Sequence, residues 1–132
     1  MTIRDYDEII GLWRRTPGMG LSQADSRESI QRFLKRNPKM SFVCKQGGQI
    51  VATILCGHDA RRGYLYHLAV DEKFRKQGIG RHLTQLSLKE LHRLGIAKCH
   101  LFVYRDNKPA ELFYRREGWQ ERTTLNIFSK DI

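Results

Sequence analysis

Acidic residues are what this chain is short of: 14 Asp and Glu stand against 24 Lys and Arg, a formal net charge of +10. That balance disfavours cationic partners and favours polyanions, of which nucleic acid is the simplest candidate. The positive charge is divided among Arg14-Arg15, Arg32–Arg36, Arg61-Arg62, Lys73–Arg81 and Arg115-Arg116, and no run is long enough to read as a nucleic-acid tail. Cysteine is scarce and odd in number. Cys44, Cys56 and Cys99 form no C-x-x-C, and each sits in an apolar run, so reduced core residues are expected rather than a disulfide framework or a metal site. No stretch is long and apolar enough to cross a membrane. The opening MTIRDYDEII lacks the charged-then-apolar layout of a secretion signal, and a cytoplasmic location with no membrane partner is expected. Two nucleotide fingerprints are missing as well. Position 83 is Leu, which rules out G-x-G-x-x-G, and there is no G-x-x-x-x-G-K-[ST].

What is present reads as one domain over residues 1–132, with 40% hydrophobic residues, enough for a core. Thr2–Arg4 has the makings of a short strand. Asp5 with Glu8 and Asp25 with Glu28 have capping-box spacing before two helical patterns, the first stopped by Pro17–Gly20 and the second by Asn37-Pro38. Met40–Lys45, Gln49–His58 and Tyr64–Val70 read as strands joined by tight turns, an antiparallel meander. Ile79–Leu94 is the strongest helix, with Ile79, Leu83, Leu86, Leu91 and Leu94 in one stripe and Gly95 as its stop. Lys98–Tyr104 reads as a strand, parallel to Tyr64–Val70 after a right-handed crossover. Lys108–Glu117 reads as a helix with Pro109 in its first turn, and Trp119–Ser129 as a last strand. The fold class expected from this order is α+β, in three layers, with helices on both faces of a mixed, mostly antiparallel sheet.

The stretch Tyr64–Arg81, YLYHLAVDEKFRKQGIGR, delivers a buried strand through a basic turn into the glycine-punctuated start of a helix. Glycines two apart let the backbone turn tightly and approach a ligand. Free amides at a helix N-terminus attract anions, and Arg75, Lys76 and Arg81 add charge there. In physical terms this is a diphosphate cradle, although basic residues beside glycine are also common in solvated loops.

The cradle resembles the cofactor motif [Q/R]-x-x-G-x-[G/A] of the Gcn5-related N-acetyltransferase (GNAT) family, matched by Arg75-Lys76-Gln77-Gly78-Ile79-Gly80. The block from Asn107 through Ala110 and Tyr114 to Gly118-Trp119 is similar to the family's N-x-x-A-x-x-x-Y-x-x-x-G-[F/W/Y] segment. The resemblance implies acetyl-CoA as acyl-donor co-substrate, with no metal. Leu68, Ala69, Val70, Arg75, Lys76, Gln77, Gly78, Ile79, Gly80, Arg81, Asn107 and Phe113 are the implied cofactor-binding residues. It also implies a bulge near Leu68 that opens a gap between the two parallel strands, in which the pantetheine arm pairs with strand amides.

Tyr114 stands where the family carries its proton donor to the leaving thiolate, and is the expected catalytic residue. A phenol of pKa about 10 holds its proton at neutral pH. Its bland alternative is packing on a helix flank, and that of Asn107 is a helix N-cap. No general base is identifiable. Histidine is the residue type that titrates in the useful range, but strand alternation turns His67 away from Leu68 unless a bulge shifts the register, and a structural role is favoured. The expected activity is transfer of an acetyl group to a primary amine of a small molecule, peptide or protein. The alternatives are a non-catalytic acyl-CoA-binding module and a basic nucleic-acid-binding domain, the latter disfavoured. Trp13, Met19 and Leu21 could line the acceptor side, and Asp5, Asp7, Glu8, Asp25 and Glu28 could make it acidic. The acceptor itself is not named by the sequence, and homodimerisation, common in the family, is left open.

Overall fold

A computed structural model describes all residues from Met1 to Ile132, in two compact units, Met1–Phe102 and Val103–Ile132. The first unit is built on a four-stranded sheet in the order β1-β2-β3-β4. Its strands are β1 (Phe42–Gln46), β2 (Gln49–His58), β3 (Gly63–Val70) and β4 (Cys99–Leu101). The first three pair antiparallel, as the meander predicts, and β4 lies parallel to β3. The β1–β2 turn uses Gly47 and Gly48, both at positive φ (57° and 78°), the geometry that matches the twist of the strands it joins.

Helices α1 (Tyr6–Arg14), α2 (Arg27–Arg36) and α3 (Ile79–Arg93) complete this unit. β2 is buried from Ile50 to Gly57 because helices cover both of its sides. Thr53 accepts a hydrogen bond from Trp13 Nε1 of α1 at 2.8 Å. Cys56, of opposite parity on the strand, interacts with Ser87 of α3. Ile9, Leu12 and Trp13 of α1 join Ile30 of α2 and Ile50, Leu55 and Ala69 of the strands in the core.

Several expectations are corrected. Thr2–Arg4 is not a strand: Ile3–Asp5 forms a 3-10 turn capped by a Thr2–Asp5 box. Asp5 therefore does not cap α1 with its side chain. Ser26, rather than Asp25, caps α2, accepting from the Ser29 amide. Along α3 the buried face is Leu83, Thr84, Ser87 and Leu91, while Leu94 is half exposed. Two hydroxyls displace leucines from the contact because a small side chain lets the helix sit close. Ser87 Oγ reaches Met40 O at 2.9 Å, and Leu91 lies where a Cβ on Gly63 would stand, 2.4 Å from its Cδ1. Strand β4 ends at Leu101, three residues short of Tyr104.

The second unit contains α4 (Lys108–Arg116), whose start is capped by Asn107 and carries Pro109 in the first turn. Trp119–Ser129 is not a strand. Its residues have no regular structure, and Leu125, Ile127 and Phe128 are exposed. β-branched and aromatic residues suit a strand only when a partner backbone supplies hydrogen bonds, and the sheet is made of four strands.

Ile54, fully buried at the centre of β2, tests the layered core. Ile54→Ala is expected to cost about 2–5 kcal/mol in urea unfolding. Leu125→Ala, in an exposed side chain, is expected to stay within about 0.5 kcal/mol of the parent.

Candidate active site

The site begins with a mismatch between β2 and β3. Thr53 pairs with Ala69 and Leu55 with Tyr66, so Ile54 alone faces both His67 and Leu68. Two residues against one is a β-bulge, and His67 takes a positive φ of 50° to make it. The bulge changes which edge the strand's amides face. Gly63 N–H donates to Lys98 O, toward β4, whereas Asp71 N–H donates to Val51 O, toward β2. In an unbroken strand these two residues of equal parity would point the same way. Counting back from Asp71, the amides of Val70 and Leu68 face the β4 edge, beyond Gly63–Leu65, where the pairing with β4 ends.

Past the strand end, Glu72–Phe74 makes a 3-10 turn capped by Asp71. Arg75 Nε donates to Val70 O at 3.0 Å, folding the loop back on the strand. Lys76 (φ 60°) and Gly78 (φ 79°) then turn the chain into α3. Gly78 is the N-cap, no side chain caps it, and the first turn holds no acidic residue. The helix thus presents its positive end and first amides at the exposed run Arg75–Gly78. Asp71, at the strand end, is already engaged. The Lys73 amide and the Arg15 guanidinium at 3.1 Å hold its carboxyl below the usual carboxylate range. Leu68–Val70 and Arg75–Arg81 are therefore brought together as one strand-to-helix passage. Ala69 differs from its neighbours in being buried in the core.

In the second unit, Asn107 Oδ1 accepts from the Ala110 amide at 3.3 Å, the capping role open to it in the sequence. Phe113 and Tyr114 are half-buried on α4, their rings edge to face at 5.1 Å, and the Trp119 ring packs on Tyr114 at 5.8 Å.

Other expectations on the acceptor side change. Trp13 is core, fully buried, and Met19 and Leu21 pack against that core. Four of the five acids considered for an acidic pocket have structural partners. Asp5 pairs with Lys45, Asp7 with Arg27 and Asp25 with His67, while Glu8 accepts from the Ile50 amide. Desolvation, with Tyr64 and Cys99 nearby, raises the Tyr66 phenol, so it stays protonated at neutral pH. Sequence reasoning missed the Asp25–His67 pair and its neighbour Thr53. The available signal was a lone hydroxyl in the otherwise apolar run Ile50–Cys56.

A family model for acetyltransferases, the acetyltransferase (GNAT) family, matches residues 6–119. The chain belongs to that family. An acetyltransferase of Photorhabdus laumondii subsp. laumondii is 33% identical, with 97% of this chain and 90% of that protein covered. GNAT architecture is equally clear in solved structures. The PaiA N-acetyltransferase of Thermoplasma acidophilum, in complex with coenzyme A, superposes with a TM-score of 0.83 at 19% identity, over 94% of this chain and 89% of that one. The ribosomal-protein-S18-alanine N-acetyltransferase of Escherichia coli gives 0.75 at 22% identity, over 93% and 76%. This GNAT member has the mixed sheet and parallel pair expected of it, and no helix long and apolar enough to cross a membrane.

Burial raises the thiol of Cys56 to about 12 and that of Cys99 to about 11. At pH 8 their thiolate fractions are then about 10⁻⁴ and about 10⁻³, far below a free thiol of pKa about 8.5. With Ellman's reagent at pH 8 the native protein is expected to release fewer than three rapid equivalents. Denaturant should bring the number to three.

Proposed function

We propose that this chain is an N-acetyltransferase that moves the acetyl group of acetyl-CoA to a primary amine of a small molecule, peptide or protein. The observation that carries the reading is the strand-to-helix passage, in which two strand amides face an open edge and an uncapped helix start stands at the strand's end. Leu68 and Val70 would pair with the pantetheine amides as a neighbouring strand would. The first turn of α3, with Arg75, Lys76 and Arg81, would hold the diphosphate. Family membership and the coenzyme A bound by the Thermoplasma protein support this assignment. The chemistry is attack of a neutral amine on the thioester carbonyl and breakage of the C–S bond. A strand N–H in Leu68–Val70 would polarise the carbonyl. Tyr114 would give its phenolic proton to the departing thiolate, and the proton lost by the acylated nitrogen would pass to solvent, from which the phenol is restored. From a pKa of about 10 to one of about 8.5, that transfer costs about 2 kcal/mol. The acceptor sets the demand for a base. A lysine amine costs about 4.6 kcal/mol to deprotonate at pH 7, an α-amine near pKa 8 about 1.4. With no base assigned, α-amines and other low-pKa amines fit better than lysine. One of the structural neighbours is named for an alanine substrate.

Release of coenzyme A thiol tests the reading. Small amines, peptides with free N-termini and lysine-rich peptides with blocked N-termini are offered in turn, with a no-acceptor blank to subtract Cys44, Cys56 and Cys99. Release with free N-termini but not with blocked peptides is the expected result. Tyr114→Phe is expected to lower kcat by roughly 10²-fold or more, with little change in KM for acetyl-CoA. Binding of acetyl-CoA without turnover of any pool would favour a non-catalytic binding module. Nucleic-acid binding that weakens steeply with salt, in the absence of acetyl-CoA binding, would overturn the reading.

A further inference from the structure

The bulge rests on an unusual residue. A non-glycine residue at positive φ is uncommon, and His67 holds φ 50° in the middle of a strand. Both its backbone and its ring are tied down, by groups from three other elements. Its carbonyl accepts from Thr53 Oγ1 of β2 at 3.0 Å, and that hydroxyl accepts in turn from Trp13 Nε1 of α1. Its ring lies 4.5 Å from the Trp13 ring. Its Nε2 meets Asp25 Oδ1 at 2.5 Å, with both side chains largely buried. Asp25 is itself held by a compact turn: its other oxygen accepts from the Ser22 amide at 2.8 Å, and its carbonyl accepts from Tyr6 Oη at 2.8 Å.

We propose that the Asp25–His67 pair is a latch that positions the donor-binding edge: by holding His67 in its left-handed conformation, Asp25 keeps the Leu68 and Val70 amides turned toward acetyl-CoA. Without the latch, regular pairing of β3 with β2 would shift the amide phase by one residue and return those two donors to β2. His67 is thus a positioning residue that acts through the backbone that follows it, and its ring is committed to Asp25 and Trp13. The inference rests on the reading of Leu68 and Val70 as donor-binding amides.

Coenzyme A titrated calorimetrically into the full chain separates the two claims. The parent must bind; if it does not, the donor-site reading falls and the latch falls with it. With a binding parent, His67→Ala and Asp25→Ala are each expected to weaken coenzyme A binding about tenfold or more. The double variant should be no weaker than the worse of the two, because they break one interaction. His67→Gln, whose amide nitrogen can reach Asp25 as Nε2 does, is expected to stay within about threefold of the parent. His67→Gly, which adopts positive φ freely but has no ring to latch, should weaken binding as His67→Ala does. Asp25→Ala leaves His67 itself in place while removing the pair together with the Ser22 contact, so it decides the matter if substitutions at His67 prevent folding. Parent-like binding by Asp25→Ala or by His67→Gly would overturn the latch, as would equal losses in His67→Gln and His67→Ala.

Discussion

One residue too many in β3 is the constraint on which the site depends. Opposite Ile54 the strand must fit both His67 and Leu68, and every later amide changes edge as a result. Before the bulge the strand can pair with β4 on one side and β2 on the other. After it, the same strand still bonds to β2 through Asp71 while turning Leu68 and Val70 outward. A protein that needed only stability would gain by removing such a bulge, since left-handed backbone costs about 1–2 kcal/mol in a non-glycine residue. Here the cost is offset by a buried chain of hydrogen bonds, Trp13 to Thr53 to His67 O, and by the His67–Asp25 pair.

The layers on either side of the sheet divide the labour. α1 and the turn carrying Asp25 lie on the side of Thr53 and His67 and supply the polar partners that the bulge requires. α3 covers the other side, through Ser87 and Leu91, and carries its own N-terminus to the end of β3. The strand end and the helix start are therefore adjacent through a short basic loop, folded back by Arg75 onto Val70. The helix dipole adds to the positive charge of Arg75, Lys76 and Arg81 at this place, and Asp71 is turned to Arg15 and the Lys73 amide. The excess of +10 over the whole chain is thus given a local focus without a long basic run.

Elements with strong local signals were legible in the residues. The Gly47-Gly48 turn, the meander, the start of α3 at Gly78 and the Asn107–Pro109 helix start all follow from backbone preferences that act over a few residues. The cradle and the Tyr114 segment were legible as motifs for the same reason. Trp119–Ser129 and the far end of Lys98–Tyr104 were not, since an alternating apolar pattern states only that a strand would be tolerated. The acids were misjudged for a related reason. Asp5, Asp7, Glu8 and Asp25 look free in a linear chain, and their partners are Lys45, Arg27, the Ile50 amide and His67.

By itself the sequence determined the family, the meander followed by α3, and the basic, glycine-bearing loop between β3 and α3, because each is written in contiguous residues. The tertiary structure alone decided that Asp25 meets His67 across 42 positions, that the bulge falls at His67–Leu68, and that Leu68 and Val70 turn their amides outward. Those facts depend on how one strand registers against another, and register is a property of two segments that neither encodes alone.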